Sequence, residues 1–139
     1  MTARRRPGER TRPNHPNPEL RGRRYAIPFD RVWAAALKLI EDGGRRWMLL
    51  EANDQAGFIR AEAQTLLFRF TDDVLVQIGL DVDAQTRVDV TSRSRKGKTD
   101  LGTNGRRIRK FLRALDRALD ARPELVLPPE DGLPVTFPE

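Results

Sequence analysis

Two apolar stripes with helical spacing, one in each half of the chain, limit its fold more than any other feature. In both stripes, apolar residues recur at i, i+3, i+4 and i+7, the period of one helix face. The first stripe consists of Phe29, Val32, Trp33, Ala36, Leu37 and Ile40, and the second of Ile108, Phe111, Leu112, Leu115, Ala118 and Leu119. Each stripe predicts an amphipathic helix, which has to bury that face against another layer of structure.

The sequence between these helices is typical of short strands separated by polar turns. Strand-like segments cover residues 24–27, 46–52, 58–65, 66–70, 74–80 and 86–94, and the polar residues Thr71, Asp72 and Asp73 predict a turn between 66–70 and 74–80. Short connections favour antiparallel neighbours. We therefore predict an α+β domain of order β-α-β-β-β-β-α, with one extra split strand among the six segments. It has an antiparallel sheet of four to five strands and two helices packed on one face.

Charge is distributed unevenly along the 139 residues, which carry 26 Lys and Arg against 20 Asp and Glu. Residues 1–24 hold eight Arg and four Pro, whereas residues 123–139 hold five Pro and no base. Such segments cannot bury a core alone. The sequence thus predicts an Arg/Pro-rich N-terminal arm at 1–24, an α+β domain at 25–122 and a Pro-rich acidic C-terminal strap at 123–139.

Composition narrows the chemistry that is open to this chain. It contains no Cys and one His, which excludes a thiolate nucleophile and argues against a Ser-His-Asp triad or a zinc site. We assign no catalytic residue, metal or cofactor, and no residue pattern selects a reaction, so a non-enzymatic role is favoured. Neither a signal peptide nor a membrane span is predicted. The expected location is the cytoplasm, where the protein could be peripheral to a membrane or a complex.

One polar motif resembles a known family. The chain has Phe70-x-Asp72-Asp73, followed by a longer run that contains Ser92, Ser94, Arg95, Gly97, Asp100, Leu101, Gly102, Asn104 and Arg107. This resembles DUF1499, a bacterial and plastid-associated family of unknown function, over roughly residues 25–120. Thr91 stands where the family pattern usually has Arg. The resemblance implies an α+β fold and carries no established activity.

The motif has a functional and a structural interpretation. In the functional one, Gly97 and Gly102 expose backbone N–H groups before a helix N-terminus, and Arg95 and Arg107 close on a small anion. Arg95, Asp100, Asn104 and Arg107 would then ring the polar end of a pocket. In the structural one, Thr103 or Asn104 caps the helix, and Asp72 or Asp73 pairs with Arg95 or Arg107 across the fold. The second interpretation makes the motif a staple between the last strand and the last helix.

Basic residues outside the motif suggest attachment to a partner. They lie in the arm and on the polar face of the second helix: Arg4, Arg5, Arg6, Arg10, Arg12, Arg106, Arg109, Lys110 and Arg113. We expect first an accessory protein that docks through them onto a larger assembly or an acidic protein. Two alternatives stay open, a small anionic-ligand binding domain that uses the motif of Ser92–Arg107 and non-specific nucleic-acid binding by the arm. An anionic membrane surface is another possible partner of residues 1–24.

Overall fold

A computed structural model describes residues 7–66, 69–95, 102–129 and 135–136, the last pair by its backbone alone. The elements in chain order are β1 (Gly8–Arg10), β2 (Arg23–Tyr25), α1 (Phe29–Glu41), β3 (Trp47–Asn53), β4 (Phe58–Gln64), β5 (Thr71–Asp81), β6 (Thr86–Ser94), α2 (Thr103–Ala118), β7 (Val126–Leu127) and β8 (Val135–Thr136). The fold is α+β, as predicted, with two helices and one large antiparallel sheet.

The sheet has more strands than the four to five that the sequence predicts. Eight strands of the described residues pair in it, in the order β3-β4-β5-β6-β2-β7, with β1 on β6 and β8 on β5. The strands β2 to β6 and the two helices follow the predicted order, but the strand-like segment 66–70 is wrong, because its described residues lie in the connection between β4 and β5. The additional strands β1, β7 and β8 have two or three residues each, too few for a sequence period to reveal.

The core lies between one face of the sheet and the two helices. Alternate residues of β4, β5 and β6 point into it, so each of these strands has a buried face and a more exposed face. The main buried side chains are Val32, Ala36 and Ile40 from α1, Ile108, Leu112 and Leu115 from α2, and Ile59, Val76, Ile78, Val88 and Val90 from the sheet. Both predicted stripes thus face the same layer.

Asp72 and Asp73 do not form the predicted turn. β5 runs without a break from Thr71 to Asp81, and Asp72 pairs with Ser94 of β6 while Asp73 pairs with Arg93. The prediction of a turn was wrong because two adjacent Asp residues in a sequence are typical of a solvent-exposed loop. In a strand, neighbours point to opposite faces. Asp72 therefore enters the layer under the helices and Asp73 faces away from it.

The described part of the predicted N-terminal arm, residues 7–24, is packed on the domain. Gly8–Arg10 pairs with the Thr91–Arg93 end of β6, and Arg23–Tyr25 pairs with the other end of the same strand. Leu20 between them belongs to the buried core. The free edge of β6 thus supplies the backbone partners that this Pro-rich segment lacks by itself. Arg4, Arg5 and Arg6 lie outside the described residues.

The C-terminal strap also contributes to the sheet. Val126 and Leu127 pair with β2, and Leu125 and Val126 pack against the core. The backbone of residues 135–136 pairs with the end of β5. Within the described residues, no helix is long and apolar enough to cross a membrane.

Candidate functional site

A buried polar cluster joins the ends of β5 and β6 to the first turn of α2. We call Asp72, Ser92, Ser94, Asn104 and Arg107 the motif cluster. Ser92 Oγ donates to Asn104 Oδ1 at 2.7 Å, and Asn104 Nδ2 donates to Ser94 Oγ at 2.9 Å. These three side chains are buried, so each needs partners inside the protein. Their mutual bonds fix the helix start against the sheet.

Arg107 completes this cluster from the second turn of α2. Its Nη1 donates to Asp72 Oδ2 at 2.7 Å, and to Ser92 Oγ and Asn104 Oδ1 at 3.1 Å each. The side chains of Asp72 and Arg107 are 1% and 11% exposed, respectively, which makes this a nearly buried ion pair. Asp72 Oδ1 is buried and has no hydrogen-bond partner among the described residues. The charge of Asp72 is therefore held chiefly by Arg107.

Helix α2 begins without the side-chain cap that the sequence suggests. Neither Thr103 nor Asn104 is the cap, because the N-cap residue is Gly102 with φ of +80° and no capping side chain. A left-handed backbone there favours glycine. Asn104 is instead used in the motif cluster. The expectation of a Thr103 or Asn104 cap was wrong because a tertiary contact takes the amide.

Other motif residues lie elsewhere. Arg95 is on the exposed face of the sheet, where it donates to Asp73 Oδ1 at 2.7 Å and to Glu62 Oε1 at 2.8 Å. Its hydrogen bonds to Asp73 and then to Glu62 raise the pKa of Arg95. Gly97 and Asp100 lie outside the described residues. The sheet thus separates Arg95 from Asn104 and Arg107, so these three do not surround one site.

A cavity of about 340 Å³ lies beside the motif cluster, between α2, the end of β4 and the junction of α1 with β3. Its walls combine cationic and apolar side chains: Arg46, Arg106, Arg107 and Lys110 with Leu39, Trp47, Leu66, Phe111 and Ala114, together with Ala63, Gln64, Thr65 and Thr103. None of these described lining residues is acidic. The cavity therefore presents positive charge next to aromatic and aliphatic surface.

The cations of the cavity differ in how far they are neutralised. Arg107 is paired with Asp72 through Nη1, and its other two guanidinium nitrogens make no hydrogen bond to a described residue. Arg46 and Lys110 form no ion pair within the described part of the chain. An anion entering the cavity would therefore meet charge that the protein does not already balance.

The remaining basic residues of α2 are partly neutralised within the chain. Arg109 Nη1 donates to Glu19 Oε2 at 2.9 Å, and Arg113 donates to the other oxygen of Glu19. Hydrogen bonds from Arg109 and then Arg113 lower the pKa of Glu19. Arg10 and Arg12 of the predicted arm are exposed. The basic face of α2, which the sequence predicts to bind a partner, is thus partly neutralised by Glu19 of the same chain.

Sequence reasoning missed Arg46, Trp47 and Leu66 as site residues. They are distant in the chain from the lining residues of α2, and none belongs to the polar motif. An Arg directly before a Trp, at the start of the strand-like segment 46–52, was the one local signal for Arg46. Among the described residues, no group of three or more Asp, Glu or His could hold a metal ion.

These features define a small α+β domain with a buried polar staple and an adjacent basic, apolar cavity. The family model of DUF1499, described as a protein of unknown function, matches residues 5–115. The chain belongs to this family, as the motif predicts. No curated protein and no solved structure gives a significant match to the chain. The match begins at residue 5, and it includes the described N-terminal segment that packs on the sheet.

Proposed function

We propose that this protein is a non-enzymatic binding module whose cavity takes a small organic anion with an apolar body. The observation that carries the proposal is the cavity of about 340 Å³, which brings Arg46, Arg107 and Lys110 together with Trp47 and Phe111. Small-molecule sites are mostly apolar concavities with a few polar groups that fix orientation. A volume at the low end of that class suits a ligand of roughly ten to twenty non-hydrogen atoms.

The charge of the cavity supports an anion over a neutral ligand. Arg46 and Lys110 have no carboxylate partner among the described residues, and no described acidic side chain lines the cavity. Guanidinium groups bind carboxylate and phosphate oxygens with paired, charge-assisted hydrogen bonds. Walls formed by Trp47, Phe111 and Leu66 then cover the apolar part of the ligand.

The motif cluster lies beside the cavity, and Arg107 is its one member among the described lining residues. Ser92, Ser94 and Asn104 are buried and bonded to one another, which favours the structural interpretation of the motif. Arg107 belongs to both the cluster and the cavity wall. Asp72 holds its Nη1, so that the rest of the guanidinium is positioned for a ligand.

Fluorescence of Trp47 provides the test. The chain has two Trp, and a Trp33→Phe variant leaves Trp47 in the cavity wall as the reporter. We expect octanoate and octyl phosphate to change its emission with a saturable curve, and neutral 1-octanol to bind about tenfold more weakly, because it lacks a charge-assisted hydrogen bond. Equal affinity for octanol and octanoate would contradict an anion site.

Substitutions separate the cavity from general basicity. Arg46→Met and Lys110→Met should each weaken octanoate binding by about tenfold, the loss of one hydrogen bond to a charged group. Arg117→Met is the matched control, since Arg117 lies on the same helix as Lys110, is exposed and does not line the cavity. If all three variants lose affinity equally, binding depends on net charge and the proposed site is wrong.

Docking onto an acidic protein remains a second proposal. Arg10 and Arg12 support it, because both are exposed and neither forms an ion pair among the described residues. Deletion of residues 1–24 would remove β1 and most of β2 from the sheet, so an Arg10→Ser/Arg12→Ser variant is the better test. We expect it to lose salt-sensitive binding to poly-glutamate. Retention of that binding, or binding to an oligonucleotide alone, would contradict a protein partner.

A further inference from the structure

The outer edge of β3 is open and apolar. β3 pairs with β4 on one side, and no described strand pairs with its other side. The strand is seven residues long and contains neither Lys nor Pro, two residues that commonly protect sheet edges. The opposite edge, β7, has two residues and is followed by Pro128 and Pro129. The two edges therefore differ in their capacity to add another strand.

Exposed apolar side chains continue along this edge on both faces of the sheet. Met48, Leu49 and Leu50 are 61%, 36% and 46% exposed. Met48 lies across from Glu62 on the open face, and Leu49 lies across from the buried Ala61. A bulge between Leu49 and Glu51 can blunt an edge, but the residue that it inserts, Leu50, is apolar and exposed. Covering this strand would remove its exposed apolar side chains from water, which favours association with a partner.

The charges around β3 are arranged for antiparallel pairing with itself. Arg45 and Arg46 precede the strand, whereas Glu51 lies near its end and Asp54 follows it. A two-fold axis near Leu49 and Leu50 brings the basic start of one strand to the acidic end of the other. The strand itself carries no base, so two copies of a chain with net charge +6 can approach there.

We propose that β3 pairs antiparallel with β3 of a second copy, which forms a symmetric dimer with one continuous sheet. Every strand pair in this sheet is already antiparallel, so the added pair extends the same geometry. An isologous interface uses the same patch on both subunits and closes after two copies. This inference is independent of the anion cavity.

Mass measurement on the full chain tests the dimer. Light scattering after size exclusion, over a range of concentrations, should give twice the 15.9 kDa of one chain at the higher concentrations. Leu50→Lys puts two like charges near the axis and removes apolar contact in both subunits. It should raise the dimer dissociation constant by roughly tenfold to a hundredfold. A wild-type chain that stays monomeric at every concentration would overturn the proposal.

Three further variants keep the test specific. Val82→Lys is the matched control, because Val82 is also exposed and apolar but lies in the turn after β5; it should leave the dimer intact. Arg45→Glu should weaken the dimer, and Arg45→Glu/Asp54→Arg should restore it. Unfolding midpoints report that each variant is folded. A dimer that survives Leu50→Lys, or that Val82→Lys also breaks, forms through another surface and contradicts the β3 interface.

Discussion

Asp72 and Asp73 are adjacent carboxylates that we expect to differ sharply in their contribution to stability. The perturbation is Asp72→Asn, with Asp73→Asn as its matched control. Asp72 is buried against Arg107, whereas Asp73 pairs with Arg95 on the exposed face. Both substitutions keep the side-chain shape and remove one negative charge. Any difference between them therefore reports the environment of the charge.

The structure sets the expected magnitudes. Removing one partner of a buried ion pair typically costs 3–5 kcal/mol, and Asn can still accept one hydrogen bond from Arg107, so we expect about 3 kcal/mol for Asp72→Asn. The Asp73 and Arg95 side chains are 37% and 43% exposed. Solvent screens a pair of that kind, and we expect at most about 0.5 kcal/mol for Asp73→Asn.

Urea unfolding followed by Trp fluorescence measures both values. With a slope of about 1.5 kcal/mol per molar urea, the Asp72→Asn midpoint should fall by about 2 M, and the Asp73→Asn midpoint by about 0.3 M or less. Equal midpoints for the two variants would refute the reasoning. They would mean that the buried pair of Asp72 with Arg107 contributes no more to stability than the exposed pair of Asp73 with Arg95.

Three further measurements follow from the packing of the N-terminal segment and from buried charges. Burial, and then the hydrogen bond to Asp116, raise the pKa of Tyr25 above its ordinary 10.0. The phenolate absorbance of the only Tyr should therefore titrate above pH 10 in the folded chain and near pH 10 in urea. The free energy of unfolding should fall as the pH rises above 10. Burial opposes ionisation of Asp81, yet its hydrogen bonds, foremost that from Arg24, lower its pKa below 3.8. The stability that this carboxylate contributes above pH 3.8 is therefore lost on acidification. Asp81→Asn should reduce this loss of stability at low pH in unfolding experiments. Leu20→Ala should cost about 2–4 kcal/mol in urea unfolding, and a change near zero would show that the segment before β2 is not part of the core.

Local periodicity was sufficient to predict the elements that bury a regular face. The stripes at Phe29–Ile40 and Ile108–Leu119 predicted α1 and α2, and alternation over Thr86–Ser94 predicted β6 with its observed ends. These signals depend on residues a few positions apart. They survive without knowledge of the partner surface.

Features that depend on distant partners could not be predicted in the same way. β1 has no apolar pattern, and it exists because β6 offers an edge to Gly8–Arg10. Asp72 looks like part of a turn until Arg107 is placed beside it. The cavity combines Arg46, from the turn between α1 and β3, with Lys110 of α2, and only the packing of α1 and α2 on the sheet brings these cations together.

The anion cavity is tested most directly by an NMR titration of the full chain with octanoate. Trp47 lines the cavity and Trp33 does not, so their two indole N–H signals are reporter and internal control. We predict that the Trp47 indole signal and the backbone amides of Arg46 and Lys110 shift together and saturate, while the Trp33 signal stays in place. Shifts confined to Arg10 and Arg12, or no saturable shift at Trp47, would contradict a ligand site in this cavity.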